Sequence, residues 1–235
     1  MKSAIFLSIL FLGLGALSRD AISQVTNYAP FPGDTAGIVD GHVISKKAYV
    51  DMFLEVAREE KDNEGKTKLT PEEKLLDIHR KTWDRLVIGA ILEENIEKKG
   101  ITTSDAEVRS SLEKDPPEFL KHGFVDSLGT FHREDYLQAL RDPRNDSVVR
   151  NLVKLLAQDM QKRKLSNALI ASITVTDDEL WEDYRKQKGA TRKKFEAEKE
   201  SLRPVKLQEK QSAFMVSWVE SSKANAKIID YRTIQ

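Results

Sequence analysis

Residues 70–108 constrain the fold most, because helix start and stop signals agree along the whole stretch. Apolar side chains recur at helical spacing, lysines occupy the last turn, and Gly100 can adopt the left-handed conformation that ends a helix. The pattern predicts a helix over residues 71–99, about 40 Å long, and a second helix after it. A compact core does not need such a length, so other elements must pack along it. The predicted capping boxes are Thr70 with Glu73 and Ser104 with Glu107.

The N-terminus has the three parts of a secretory signal peptide. A basic start precedes an apolar run over residues 4–17, and small residues follow at two candidate cleavage positions. The run is shorter than the about 20 residues that a membrane-spanning helix needs, so an uncleaved anchor is the less favoured alternative. We therefore expect a signal peptide over residues 1–23, a flexible tether over residues 24–35, a periplasmic location and no stable membrane insertion.

Composition argues against several partners and sites. The 38 basic and 38 acidic residues balance, and no basic stripe alternates with aromatic residues, which argues against nucleic acid. The chain has no cysteine, so it has no disulfides, and its four histidines are not paired at helical spacing. We expect no metal site, and solvated or edge-packed imidazoles are the simpler interpretation. No phosphate-binding glycine loop or nucleophile motif occurs, so no cofactor and no catalytic residue are predicted.

β-branched residues occur near both ends of the mature chain. Ile38 and Val39 precede an Asp-Gly turn, after which the chain is expected to enter a helix capped by Ser45. Ile228 and Ile229 lie close to the C-terminus, and because a lone strand is unstable the two segments are predicted to pair. The predicted fold class is mainly α: an elongated multi-helix core with a small sheet formed by the N- and C-terminal strands.

Prolines and glycines set the expectations for the other helices. A double proline should end the second capped helix, and residues 118–130 after it should be irregular. A long helix is predicted over residues 146–173. Pro204 should kink or split the last helix.

Nine apolar side chains lie at positions where the predicted helices can either bury them in the core or leave them exposed. The simpler alternative is that most belong to the core, and the functional hypothesis is that a subset lines a groove for extended apolar peptide segments. The candidate binding residues are Met52, Phe53, Trp83, Phe119, Phe124, Phe131, Tyr136, Phe214 and Trp218.

The sequence resembles one known family in segments that keep the family's order: AGIVDGHVISKKAYVDMF, WDRLVIGAILEENIEKKGITTSDAEV, PPEFL followed by GTFHREDYLQAL, and ITVTDDELWEDYRKQK. They look like the N-terminal domain of SurA/PpiD-type periplasmic chaperones. The stretch that closes the chain is similar to the family's C-terminal helix and strand. The resemblance implies a helical chaperone domain over residues 36–188, with residues 189–235 adding a helix and a strand to the same core.

One departure from the family decides the functional prediction. Members commonly carry a parvulin-type prolyl isomerase domain after the helix around Trp181, and such a domain needs about 100 residues. Here only residues 187–190 separate that helix from the next, a joint that would also allow a homodimer by domain swapping. The resemblance therefore implies an ATP-independent holdase for unfolded or outer-membrane polypeptides. The alternatives are an adaptor or structural subunit that binds one specific partner, and a degenerate prolyl isomerase or other enzyme.

Overall fold

The computed structural model describes residues 33–62, 69–187 and 190–232. The predicted signal peptide, most of the tether and the domain boundary at residues 188 and 189 lie outside the described residues. The described chain forms eight α-helices and three short strands, which confirms the mainly α fold class. The helices are Lys46–Asp62 (α1), Pro71–Lys98 (α2), Asp105–Lys114 (α3), Glu118–Lys121 (α4), Arg133–Arg141 (α5), Asp146–Ile170 (α6), Asp177–Tyr184 (α7) and Arg192–Asn225 (α8), and the strands are Thr35–Val39 (β1), His42–Ser45 (β2) and Ile228–Asp230 (β3).

The three strands form one antiparallel sheet in the order β2–β1–β3. Asp40 and Gly41 make the hairpin turn with φ angles of 48° and 93°, a backbone twist that suits a two-residue turn. Ile38 of β1 lies opposite Ile229 of β3, so the predicted pairing of the terminal strands is confirmed. β2 was not predicted, because only Ile44 of its four residues is buried and the strand is too short to show alternation.

The helix that dominates the sequence, α2, begins and ends as predicted. The Thr70 hydroxyl accepts a hydrogen bond from the backbone of Glu73, and the Glu73 carboxylate accepts one from the Thr70 amide at 2.8 Å. At the other end Gly100 has a φ of 61°, and the Ile101 amide donates to the carbonyl of Ile96 at 3.0 Å. This closure gives partners to carbonyl groups that the helix end would leave unpaired. A second capping box starts α3, also as predicted.

Buried side chains form three separate cores, and we call the surrounding structure the first, second and third lobes. The first core lies between the sheet, α1 and α2, around Tyr49 and Val87. The second core joins α3, α4, α5 and α6 around Tyr136 and Val153. The third core lies between α7 and the start of α8, around Phe195. The last part of α8 returns to the first lobe, where Trp218 and Ala226 pack against the core.

The helix α8 continues through Pro204, so the prediction that this proline splits the helix is wrong. A proline in a helix removes one backbone hydrogen bond and weakens one turn. Ion pairs with α7 lie on both sides of that turn, because Arg203 reaches Asp177 at 2.5 Å and Lys206 reaches Asp183. Packing against α7 therefore stabilises the turn that the proline weakens.

Two other predicted boundaries need correction. The stretch predicted to be irregular contains α4, a 3₁₀ turn over His122–Phe124, and an isolated bridge between Val125 and Phe131. Helix α6 ends at Ile170 instead of residue 173. A single turn follows it, in which the Ile173 amide donates to the Ile170 carbonyl. The local sequence pattern predicts neither the short elements in residues 118–130 nor the exact end of α6, because both depend on a few hydrogen bonds.

Gly37 allows β1, α2 and β3 to approach one another. A Cβ atom at this position would overlap the Trp83 ring and lie 2.5 Å from the carbonyl oxygen of Ile229. We expect Gly37→Ala to lower the free energy of unfolding by about 2 kcal/mol or more in urea titrations. The matched control is Gly89→Ala within α2, where a Cβ meets nothing within 4 Å, and a gain of about 0.5–1 kcal/mol is expected. Equal effects of the two substitutions would contradict this assignment.

The ion pairs between α7 and α8 give a second prediction. Asp177 contacts Lys199 at 2.8 Å as well as Arg203, and hydrogen bonds from these two side chains hold the pKa of Asp177 below its ordinary value. A carboxylate with a lowered pKa stabilises the fold above about pH 4, and this contribution is lost as the pH falls further. Asp177→Asn should therefore lower the thermal midpoint of the third lobe by up to about 3 °C at neutral pH, and less in acid.

The measurement follows the fluorescence of Trp181, which packs in the third core. The matched control is Asp178→Asn, which changes the exposed neighbour in the same helical turn, for which the described residues provide no ion pair. The control should leave the midpoint unchanged. A shift of the same size in both variants would show that general charge, and not the contacts with α8, stabilises this lobe.

Candidate functional site

The nine predicted binding residues do not form one groove. Four of them belong to the first lobe, where Phe53 is buried in the core and Met52, Trp83 and Trp218 pack against it while partly exposed. Phe53 also stacks at an angle on the ring of His79, with centroids 4.7 Å apart. Phe53 is therefore a core side chain in this conformation, and its three neighbours offer only part of their surface.

Three more of the predicted residues meet in the second lobe. Tyr136 is buried, and the rings of Phe124 and Phe131 contact it at centroid distances of 5.4 and 5.8 Å. The Tyr136 hydroxyl donates to the carbonyl of Leu112 at 3.0 Å, which fastens α5 to α3. Burial raises the pKa of Tyr136 to about 12, so this hydroxyl stays protonated and remains a donor. The cluster builds the lobe and offers little surface to a ligand.

The remaining two residues are exposed and lie apart from the three cores. Phe119 on α4 keeps 45% of its surface exposed, and Phe214 on α8 keeps 38%. Phe119 lies on the short helix α4, which contributes to the rim of a cleft in the second lobe. The cleft includes its neighbour Glu118, but not Phe119 itself.

This cleft lies between α3 and α6 and has a volume of about 310 Å³. Its floor is apolar, and it consists of side chains whose other sides pack into the second core. One wall is the double proline that follows α3, and the rim is charged. The floor residues are Val108, Leu112, Leu156 and Met160, the wall residues are Pro116 and Pro117, and the rim residues are Ser111, Asp115, Glu118, Lys121, Asp159 and Arg163.

The double proline gives the cleft its shape. Pro116 and Pro117 cannot continue α3, so the chain turns away from the helix axis after Asp115. Leu120 of α4 is then buried in the second core, which holds the turn against the lobe. Met160 of α6 is partly exposed and lines the cleft beside α3.

Four of the five charged rim residues form ion pairs with each other, and none of the four floor residues is charged. Lys121 contacts Glu118 at 3.1 Å, and Arg163 contacts Asp159 at 2.8 Å. Such exposed pairs contribute little stability, so they can exchange partners at small cost when a polar chain arrives. The cleft can therefore bury an apolar side chain on its floor while the rim contacts the main chain that carries it.

Sequence reasoning missed the floor of this cleft. Leu156 and Met160 lie within the long helix predicted over residues 146–173, and the double proline is predicted only to end a helix. Periodicity shows that these residues face inward, but not that they line a cleft between α3 and α6. A methionine at the end of a regular stripe was the available signal, since methionine is common where apolar surfaces must adapt.

The environment of His79 also differs from the one predicted for the histidines. His79 is almost completely buried in α2, where a solvated or edge-packed ring was expected, and the Tyr49 hydroxyl lies 2.6 Å from its Nδ1. Burial, with a further contribution from the nearby charge of Arg232, lowers the pKa of His79 to about 4. This histidine is therefore neutral at physiological pH. Its partners come from α1 and from the C-terminus, so no local pattern could have identified it.

Residues 33–62, 69–187 and 190–232 contain no cluster of metal-ligating side chains and no membrane-spanning helix. Within these ranges no three histidine or acidic side chains lie close enough together to hold a metal ion. None of the helices described there is both long enough and apolar enough to cross a bilayer.

Comparison with protein families agrees with the architecture. The family model for the SurA-like N-terminal domain matches residues 2–140, more than half of the chain. The chain belongs to the SurA-like N-terminal domain family. No curated protein and no solved structure matches it. SurA-like N-terminal domains are chaperone modules, so the family places this protein in a chaperone-type class.

The family model matches only the N-terminal part of this chain. The match ends within α5, so it includes β1, β2, α1 and α2 of the first lobe and the α3 side of the cleft, whereas β3, Leu156 and Met160 lie beyond it. Helix α7 ends at Tyr184 and α8 begins at Arg192, so no isomerase domain is inserted between them.

Proposed function

We propose that this SurA-like protein is an ATP-independent holdase of the periplasm that binds unfolded polypeptides, including those destined for the outer membrane. The observation that carries the proposal is the cleft between α3 and α6, with its apolar floor and its charged rim. Family membership supports the general class of chaperone. The apolar N-terminal run over residues 4–17 supports the location.

The size of the cleft fits weak and general binding. Its volume is at the lower end of the range for ligand pockets, so it accepts one or two apolar side chains at a time. Burying apolar surface contributes about 25 cal/mol for each Å² removed from water, whatever the sequence that carries it. The flexible Met160 side chain can adjust to side chains of different shape. A cleft of this kind holds many clients loosely, and releasing them requires no ATP.

Other exposed apolar side chains can extend the contact with a long client. Leu128 is 88% exposed on a turn that Asp126 stabilises by accepting hydrogen bonds from two backbone amides. Leu155 is 61% exposed on α6, on a different face from the cleft floor. Several weak sites on one chain raise the overall affinity without any single strong contact. We therefore place the principal contact in the cleft and secondary contacts at these positions.

The test compares two lysine substitutions on the same helix. Met160→Lys puts a charge on the cleft floor, and the cost of burying it should raise the concentration needed to suppress aggregation of an unfolded client about tenfold. Leu155→Lys removes more exposed apolar surface outside the cleft and should change that concentration by less than about twofold. Light scattering of a chemically unfolded client measures both effects.

Controls separate loss of binding from loss of folding. Circular dichroism checks that each variant stays helical, and Ser111→Trp serves as a second variant because it fills the cleft from the exposed rim without changing the core. Equal losses in the Met160 and Leu155 variants, or full activity with the cleft filled, would contradict the proposal. A single stoichiometric partner in pull-downs would favour the adaptor instead, and turnover of a proline-containing peptide would favour the isomerase.

A further inference from the structure

The C-terminal residues 226–232, which we call the C-terminal strap, cross the first lobe and end in a buried arginine. The Asp40 amide donates to the Lys227 carbonyl at 3.0 Å, and the Lys227 amide donates to the Asp40 carboxylate at 2.7 Å. The Tyr231 amide donates to the carbonyl of Ala36 at 3.0 Å. All three residues of β3 are exposed, so backbone hydrogen bonds and the arginine contribute most to holding the strap.

Arg232 fills an aromatic site on the first lobe, and only 7% of its side chain is exposed. The guanidinium lies 4.3 Å from the ring centre of Trp83 and 5.7 Å from that of Tyr49. It donates to the backbone carbonyl of His79 at 3.1 Å and forms an ion pair with Asp230 at 2.6 Å. Cation–π contacts of a largely desolvated guanidinium are worth more than exposed ones. Arg232 is therefore the side chain that anchors the strap.

Tyr49 lies between this arginine and the buried His79. The guanidinium faces the Tyr49 ring, and the Tyr49 hydroxyl donates to His79 Nδ1 at 2.6 Å. A neutral imidazole that accepts at Nδ1 carries its own proton on Nε2. Among the described residues His79 Nε2 has no hydrogen-bond partner. A second proton can therefore enter only at Nδ1, where the Tyr49 hydroxyl already donates.

We propose that the C-terminal strap is an acid-released latch, in which protonation of His79 expels Arg232 from its aromatic site and frees the strap from β1. Protonation turns His79 Nδ1 from an acceptor into a donor, so the hydrogen bond from the Tyr49 hydroxyl is lost. It also puts a positive charge next to a desolvated guanidinium. Release would separate the two charges and return both to water, and it would uncover Trp83, Tyr49 and the edge of β1.

The charges around His79 support the direction of the effect. The titratable groups that act on the ring are Tyr49 from α1 and Arg232 from the strap, while Asp230 of β3 acts through its ion pair with Arg232. With the strap closed the pKa of His79 is about 4, whereas an imidazole exposed to water titrates near 6.5. Closure is therefore unaffected above about pH 6.5 and is weakened progressively as the pH falls from there to about 4.

The experiment follows amide exchange by NMR between about pH 7 and pH 4, corrected for the intrinsic dependence of exchange on pH. The reporters are the amides of Asp40 and Tyr231, which cross from β1 to the strap. Their protection should fall at least about tenfold over this range. The amides of Val87 in α2 and Val153 in α6 should keep their protection. Loss of protection at all four amides would mean general unfolding and would overturn the proposal.

Two variants test the mechanism. His79→Gln keeps an acceptor for the Tyr49 hydroxyl but cannot take up a proton, so the strap amides should stay protected in acid. If they are still released, Asp230 or another carboxylate is responsible and the proposal fails. Arg232→Gln should lower the protection of the strap at neutral pH and remove most of its dependence on pH. The Arg232→Gln variant tests whether the pH dependence of the strap arises at this arginine, even if His79→Gln does not fold.

The matched histidine control is His132→Gln. His132 lies in the second lobe, where its Nε2 contacts Asp126 at 3.1 Å. This substitution should leave the acid release of the strap as it is in the unchanged protein. Loss of acid release in this control would show that the effect does not arise at the latch, and would overturn the proposal.

Discussion

The length of α2 is the constraint on which the rest of the structure depends. At 28 residues the helix is about 42 Å long, more than one small core can cover. Its ends are fixed by the capping box at Thr70 and the glycine closure at Gly100, so the helix is not shortened by fraying. Different elements therefore cover different parts of α2. The sheet and α1 pack on it in the first lobe, and α6 and α8 also contact it. Separate lobes follow, and a cleft lies between α3 and α6 of the second lobe.

This arrangement suits a chaperone without an energy source. Three small cores leave more surface than one large core would, and part of that surface is apolar at the cleft and at exposed positions such as Leu128. The many ion pairs along the helices keep such a surface soluble without adding much stability of their own. The first lobe, in contrast, is closed by the C-terminal strap. The proposed client binding in the second lobe and the proposed latch opening in the first lobe therefore involve different residues and can be tested separately.

The sequence allowed the caps, the long helix and the pairing of the terminal strands to be predicted, because each depends on residues close together in the chain or on a β-branched pattern with one available partner. Binding residues were harder. Periodicity marked Phe53 and Tyr136 as inward-facing or groove-lining without distinguishing the two, and the structure buries both. Periodicity could not show that Met160 lines a cleft, because that depends on where α3, the double proline and α6 lie in the fold. The burial of His79 depends on Tyr49 and Arg232, which are far from it in the chain.

Methionine methyl NMR tests the central claim, that clients bind in the cleft of the second lobe, most directly. Met52 reports on the first lobe, Met160 on the cleft floor and Met215 on α8, so three methyl signals cover the candidate surfaces. On titration with an unfolded client at neutral pH, the account predicts that the Met160 methyl shifts most and saturates with the binding curve. Shifts at Met52 or Met215 with an unchanged Met160 methyl would contradict it.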